Sequence, residues 1–132
     1  MPLVRIDMPE SIDPDTARKI GEVVNDAMVA VINVPQGDKF QVIARHASQG
    51  LNLTASYLGI PYSDKLLLIQ ITLSQGRSIE AKKALYRKIA DDVAQLGLRK
   101  EDVFINLVEV AKENWSFGNG EMHYAPAAPS DG

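Results

Sequence analysis

Three residues of this 132-residue chain could do chemistry at one site: Pro2, Asp38 and Arg77. Pro2 follows the initiator Met1 directly, and removal of Met1 is usual when the next residue is small. The freed amino terminus would be a secondary amine, able to act as base, acid or nucleophile. Arg77 stands immediately before Ser78, a helix N-cap candidate, at the wrong end of the helix dipole. That placement costs a few tenths to about 1 kcal/mol if it serves structure alone. It makes sense if a carboxylate binds there, held by the guanidinium and the free N–H groups of the helix start. The alternative is a solvated arginine whose stem covers the turn. Asp38 follows Gly37 in a turn; beside Pro2, its carboxylate could stabilise a protonated amine or orient a water. Trp115, Phe117 and Tyr124 are either core and interface residues or the apolar walls that a desolvated amine needs. Burial would lower the amine pKa and a nearby carboxylate would raise it. The balance between them decides between base and acid, and the sequence leaves it open.

The elements that must position these residues are legible as periodicities. Leu3, Val4 and Ile6 read as a strand, and a proline at its start lies outside the hydrogen-bond ladder. Asp13-Pro14 predicts a helix start, with Asp13 as N-cap. Ala17, Ile20, Val23, Val24, Ala27, Met28 and Val31 then share one face up to about Asn33. A turn over Val34 to Asp38 leads into a second strand, in which Phe40, Val42 and Ala44 alternate with Gln41 and Arg45. Residues 47–65 hold no sustained period and predict an excursion, pinned to the body by Leu51, Leu53, Tyr57 and Leu58. Leu66 to Leu73 is apolar on both faces, as in a strand covered on both sides. Ser78 caps a second helix with Ala81, Ala84, Leu85, Ile89, Val93 and Leu96 inward, closed by Gly97 as C-cap. Val103 to Val110 is a fourth strand, and Trp115-Ser116-Phe117-Gly118 begins an aromatic turn.

The chain thus reads as one domain over 1–132: a first β-α-β unit (1–46), the excursion (47–65), a second β-α-β unit (66–112) and a C-terminal turn and tail (113–132). The halves repeat at an offset of 64 to 65, Leu3 matching Leu68 (68 − 3 = 65) and Asp38 matching Asp102 (102 − 38 = 64). The tail from Ala125, with Pro126 and Pro129, is too short and open for a core of its own. The fold class is α/β (α+β), a four-stranded sheet with both helices on one face, because right-handed crossovers put them there. The other face would be bare, which predicts a homo-oligomer.

Composition narrows the function. Fourteen Lys and Arg against 17 Asp and Glu give a net charge of −3 with no like-charge block, which speaks against nucleic acid or an anionic membrane as partner. Without cysteine there are no disulfides or thiolate metal sites, and His46 and His123 show no ligand spacing, so no metal and no cofactor are expected. No signal-like or membrane-spanning stretch is seen, and a cytoplasmic protein is expected.

Pro2, the doubled strand-helix-strand unit, Val34-Pro35 with Asp38-Lys39-Phe40-Gln41, Gln75-Gly76-Arg77-Ser78 and Trp115-Ser116-Phe117-Gly118 together resemble the tautomerase superfamily, and within it the malonate semialdehyde decarboxylase branch. The resemblance covers nearly the whole chain. It implies a tautomerase/MIF-like homotrimer with the proline at the bottom of an apolar cavity and no cofactor. It also implies Pro2 as the protonated or iminium-forming group, Asp38 as partner carboxylate or water-positioning group, and Arg77 as the grip on the substrate carboxylate. Gln75, Trp115, Phe117 and Tyr124 would line the substrate site. The family's better-known pattern has Arg-x-Arg at this junction, and Gln75 replaces the first arginine. Ser11 and Ile12 stand where 4-oxalocrotonate tautomerases carry an arginine before the first helix, so dicarboxylate isomerisation is disfavoured. The implied activity is decarboxylation of a small 3-oxo acid, with hydratase or tautomerase side activity. The alternatives are a keto-enol tautomerase of the phenylenolpyruvate type, with Pro2 as general base, and a non-enzymatic ferredoxin-like ligand-binding module.

Overall fold

The computed structural model describes residues 1–125; the part of the expected tail that begins at Pro126 lies outside the described residues. Strand β1 (Leu3–Pro9) alternates as its sequence dictates, with Val4, Ile6 and Met8 buried and Leu3, Arg5 and Asp7 on the opposite face. Helix α1 (Pro14–Ile32) starts where the Asp13 carboxylate accepts the Thr16 N–H at 2.8 Å. It stops at Asn33, whose left-handed backbone (φ 57°) breaks the repeat while its N–H still reaches the Met28 carbonyl. Strand β2 (Gln41–His46) runs parallel to β1. Mid-helix Gly21 permits the close approach: a Cβ there would lie 2.6 Å from Gln41 Oε1, and the Gln41 amide donates to the Gly21 carbonyl.

The excursion is structured differently from expectation. After a 3₁₀ turn at Ser48–Gly50 it forms a small hairpin, β3 (Ser56–Tyr57) and β4 (Ile60–Pro61). Leu58 and Gly59 both take positive φ, the signature of a tight hairpin turn, so the Leu58 side chain points away from the body and is 84% exposed. Tyr57 and Leu53 are exposed too. The apolar residues expected to pin the segment therefore do not, apart from half-buried Leu51. Polar ties hold it instead: the buried Asp102 carboxylate accepts the Ser63 N–H and hydroxyl, and Arg99 donates to the Pro61 carbonyl.

Strand β5 (Leu67–Ser74), helix α2 (Ile79–Ala94) and strand β6 (Val103–Val110) repeat the first unit. The Ser78 hydroxyl caps α2 by accepting the Ala81 N–H. The helix ends earlier than expected: Gly97 (φ 93°) sits in the turn after it rather than at its cap, because the Leu96 and Gly97 N–H groups tighten onto the Val93 and Ala94 carbonyls. Sheet order is β2-β1-β5-β6, with β1 and β5 antiparallel at the centre and each outer pair parallel. Val4, Ile6, Met8, Leu67, Ile69, Ile71 and Leu73 form the sheet side of the core, and Ile20, Val24, Met28, Leu85, Ile89 and Val93 form its helical side.

The outer sheet face carries no helix. Leu3, Val42, Phe104 and Val108 are exposed on it around Arg5, Asp7, Gln70 and Asn106, and Leu68 and Thr72 are half-buried. In the single chain, then, β5 is buried on one face only, not both; its outer row of Leu68, Gln70 and Thr72 awaits a cover. On the same face Asp7 accepts from Arg5 at 2.9 and 3.0 Å and pairs with His46 at 2.6 Å. These bonds hold the Asp7 carboxyl below its usual range against the opposing effect of burial. Among the described residues no helix is long and apolar enough to cross a membrane.

Candidate active site

Strand order gathers the candidate residues at one end of the sheet. Antiparallel pairing sets the start of β1 beside the end of β5, with Leu3 opposite Thr72. Parallel pairing sets the start of β2 beside it as well, with Val4 opposite Gln41 and the Val4 N–H donating to the Phe40 carbonyl at 2.9 Å. The end of β6 follows, with Val110 opposite Ser74. Each element adjoining that end carries candidate residues: Pro2 precedes β1, Asp38 and Phe40 precede β2, Gln75 and Arg77 follow β5, and Trp115 and Phe117 follow β6.

A cavity of about 230 Å³ opens there, lined by Met1, Pro2, Leu3, Phe40, Trp115, Ser116 and Phe117. Pro2 is buried. With Met1 present its nitrogen is an amide without a proton, and the free amine is that of Met1. Burial pushes that amine's pKa down and the charge of Arg77 pushes the same way, while Asp38 opposes both. Both expected charges therefore act at the amino end of the chain.

Ser74 is the hub of the wall. Its hydroxyl accepts the Trp115 indole N–H at 3.1 Å, and its carbonyl accepts from Arg77 Nη1 at 2.8 Å. Trp115 stacks on Phe117 at 5.4 Å, and Tyr124 meets Phe117 edge-on at 5.0 Å. The Phe117 N–H donates to His123 Nδ1 at 3.1 Å. Half-buried Asp38 is set by its N–H bond to the Pro35 carbonyl.

The sequence candidates thus fall into layers. Pro2, Trp115 and Phe117 line the cavity, Arg77 and Asp38 reach its amino end through their charge, and Tyr124 braces Phe117 from behind. Gln75 is exposed, its N–H spent on the Val110 carbonyl, and it is outside the cavity lining among the described residues. Sequence reasoning missed Phe40, which the strand alternation had absorbed although it lies just before β2, and Ser74, which carries no local signal. A larger cavity of about 780 Å³ lies on the bare sheet face beneath the excursion, walled by Tyr57, Tyr62, Leu68, Gln70 and Phe104. Its acid, Asp7, is already engaged by Arg5 and His46, whereas the smaller cavity is the one that holds the candidate residues Pro2, Trp115 and Phe117. Among the described residues no cluster of three or more His, Asp or Glu side chains is placed to hold a metal.

Two family models, each described as tautomerase enzyme, match this chain, one over residues 38–118 and one over residues 2–54. The chain is 41% identical to a probable tautomerase, YusQ, of Bacillus subtilis (strain 168), over 91% of this chain and 95% of that one. Among solved structures it is similar to FG41 malonate semialdehyde decarboxylase inhibited by 3-bromopropiolate, with 33% identity, a TM-score of 0.86, and coverage of 92% of this chain and 93% of that one. It shares its fold with a fused 4-OT symmetric trimer at 23% identity and a TM-score of 0.73, covering 90% and 94%. A ferredoxin-like binding module does not account for these matches. Sequence, strand order and the proline-headed cavity agree: the chain belongs to the tautomerase superfamily and is one of its enzymes.

Proposed function

We propose that the protein is a cofactor-free lyase that decarboxylates a small 3-oxo acid, 3-oxopropanoate to acetaldehyde and carbon dioxide being the favoured reaction. The observation that carries this reading is that the chain's amino end lies at a small aromatic-walled cavity and feels the charges of one cation, Arg77, and one carboxylate, Asp38. Removal of Met1 frees the Pro2 amine. Protonated, it stands at the C3 carbonyl, or it condenses with that carbonyl to an iminium. Arg77 holds the substrate carboxylate, and Asp38 supports the protonated amine or positions water. Phe40, Trp115 and Phe117 keep solvent away, with Tyr124 behind them and Gln75 as a neutral donor at the rim. Cleavage of the C1–C2 bond releases carbon dioxide and sends its electron pair toward the C3 carbonyl or iminium. A proton added at C2, with hydrolysis of any iminium, completes acetaldehyde. A cation at the carbonyl is the electron sink this step requires. Similarity to the FG41 decarboxylase supports the reading. Hydration of activated alkynoates and ketonisation of enols such as phenylenolpyruvate are the expected side activities. An NMR time course of 3-oxopropanoate with the Met1-processed protein tests the proposal: acetaldehyde should accumulate, and its absence would sink the decarboxylase reading.

A second reading, a keto-enol tautomerase with neutral Pro2 as general base, is favoured by one observation. Burial and Arg77 together outweigh Asp38, so the amine at this end is pushed toward its neutral form. The pH-rate profile separates the two. If the protonated amine works, activity falls as pH rises through its pKa; if the neutral amine works, activity rises through the same point. Burial and Arg77 should act on the freed Pro2 amine in the same downward direction, and Asp38 against them. Because Asp38 raises the pKa, Asp38→Asn should move the transition to lower pH under either reading. An unmoved transition would remove Asp38 from the site's electrostatics.

We also propose a homotrimer in which the bare sheet face is covered by neighbouring copies. The exposed row of Leu3, Val42, Phe104 and Val108 and the shared fold of a trimeric structure support it. Sedimentation of the full chain should show a three-chain species, and placing a charge on that row, as in Phe104→Glu, should dissociate it. A monomeric native protein would refute the assembly.

A further inference from the structure

The junction that carries Arg77 is bordered by an ion pair that the proposed chemistry does not use. Glu109 stands opposite Leu73 on β6, one residue before the Val110 carbonyl that receives the Gln75 N–H. Its carboxylate pairs with Lys82 in the first turn of α2, the helix that the Arg77 turn leads into. The Glu109 and Lys82 side chains are 31% and 25% exposed. Glu109 also lies within electrostatic reach of Arg77, while Arg77 Nη1 donates to a neutral acceptor, the Ser74 carbonyl. The Glu109 carboxyl is held below its usual range, first by its hydrogen bond to Lys82 and less by Lys82's charge, Gly76 and Arg77, against burial.

An internal carboxylate beside a substrate-binding arginine is a competitor for it. Without another cation, Glu109 would turn to Arg77 and fill the position a substrate carboxylate needs. We infer that Lys82 is a positioning residue that holds Glu109 in an ion pair and so keeps the Arg77 guanidinium available to the substrate carboxylate. The inference rests on the reading of Arg77 as the carboxylate grip. It makes Glu109 a threat to Arg77 whenever Lys82 is lost. Glu109→Gln removes the charge and with it the competition for Arg77.

The test is a double-mutant cycle read by ligand binding. Trp115 is the single tryptophan and forms the cavity wall, so its fluorescence reports on occupancy. Malonate, a three-carbon carboxylate, is titrated into the Met1-processed protein and into the Lys82→Met, Glu109→Gln, Lys82→Met/Glu109→Gln and Arg77→Ala variants. Lys82→Met should weaken malonate binding by about tenfold, a coupling typical of charges in one network. The double variant should return to within about threefold of the native protein, and Glu109→Gln alone should bind at least as well as native. A purely structural pair predicts the reverse, a double variant no better than Lys82→Met. That result, or an unchanged affinity in Lys82→Met, overturns the inference. If malonate leaves the native fluorescence unchanged, or Arg77→Ala binds as native does, the reading of Arg77 fails and the inference falls with it. Loss in Arg77→Ala with no loss in Lys82→Met overturns the role of Lys82 alone.

Discussion

Replacing Pro2 with alanine in the Met1-processed protein is expected to lower kcat/KM toward 3-oxopropanoate by about 10²- to 10⁴-fold, the range a positioned acid or base contributes. The loss should be in chemistry rather than folding. Pro2 precedes β1, the ladder begins at Leu3, and the Val4 N–H bond to the Phe40 carbonyl does not involve the ring. The secondary amine is held rigidly by its ring, so its lone pair is aimed by the strand; an alanine amine rotates about an extra bond and is aimed by nothing. Acetaldehyde formation followed by NMR, beside a thermal melt of each protein, checks both halves. A variant that melts like the native protein and still decarboxylates within threefold would remove Pro2 from the reaction.

Arg77→Ala should be the second-largest effect. Charge-assisted hydrogen bonds are worth about 1.5–3 kcal/mol, so a loss of roughly ten- to over a hundredfold in kcat/KM is expected, mostly as a raised KM. Arg77→Lys should recover part of it, since a point charge replaces the charge and not the planar fork. The same substitution has an electrostatic signature. Arg77 pushes the pKa at the amino end downward, so removing it should move the pH-rate transition upward, opposite to Asp38→Asn. Steady-state kinetics from pH 5 to 9 reads both. A reduced kcat with KM unchanged would mean that Arg77 acts on the reacting centre and not on substrate binding.

Those signs depend on neighbours that only the folded chain supplies, and here the sequence and the tertiary structure divide their work. Alternation in Leu3 to Ile6, the Asp13 and Ser78 caps and the helical stripes of α1 and α2 are local properties, set by backbone geometry and by which side chains leave water. They determined two β-α-β units, a four-stranded sheet with one bare face, and Pro2, Asp38, Arg77 and Trp115 as residues worth placing. Local rules failed where a contact between distant segments overrode them. Leu58 points outward because a tight turn with two positive φ values sets its direction, whatever its hydrophobicity. Asp102 is buried because Ser63, 39 residues earlier in the chain, satisfies its carboxylate. The antiparallel pairing of β1 with β5 was decided in three dimensions alone, and it sets the start of β1, behind Pro2, beside the end of β5 that leads to Ser74 and Arg77. No periodicity encodes that choice, because strand order depends on how two finished units bury their shared faces. The balance of burial and Arg77 against Asp38 at the amino end follows from that order, for a pKa depends on distances between groups that are far apart in sequence.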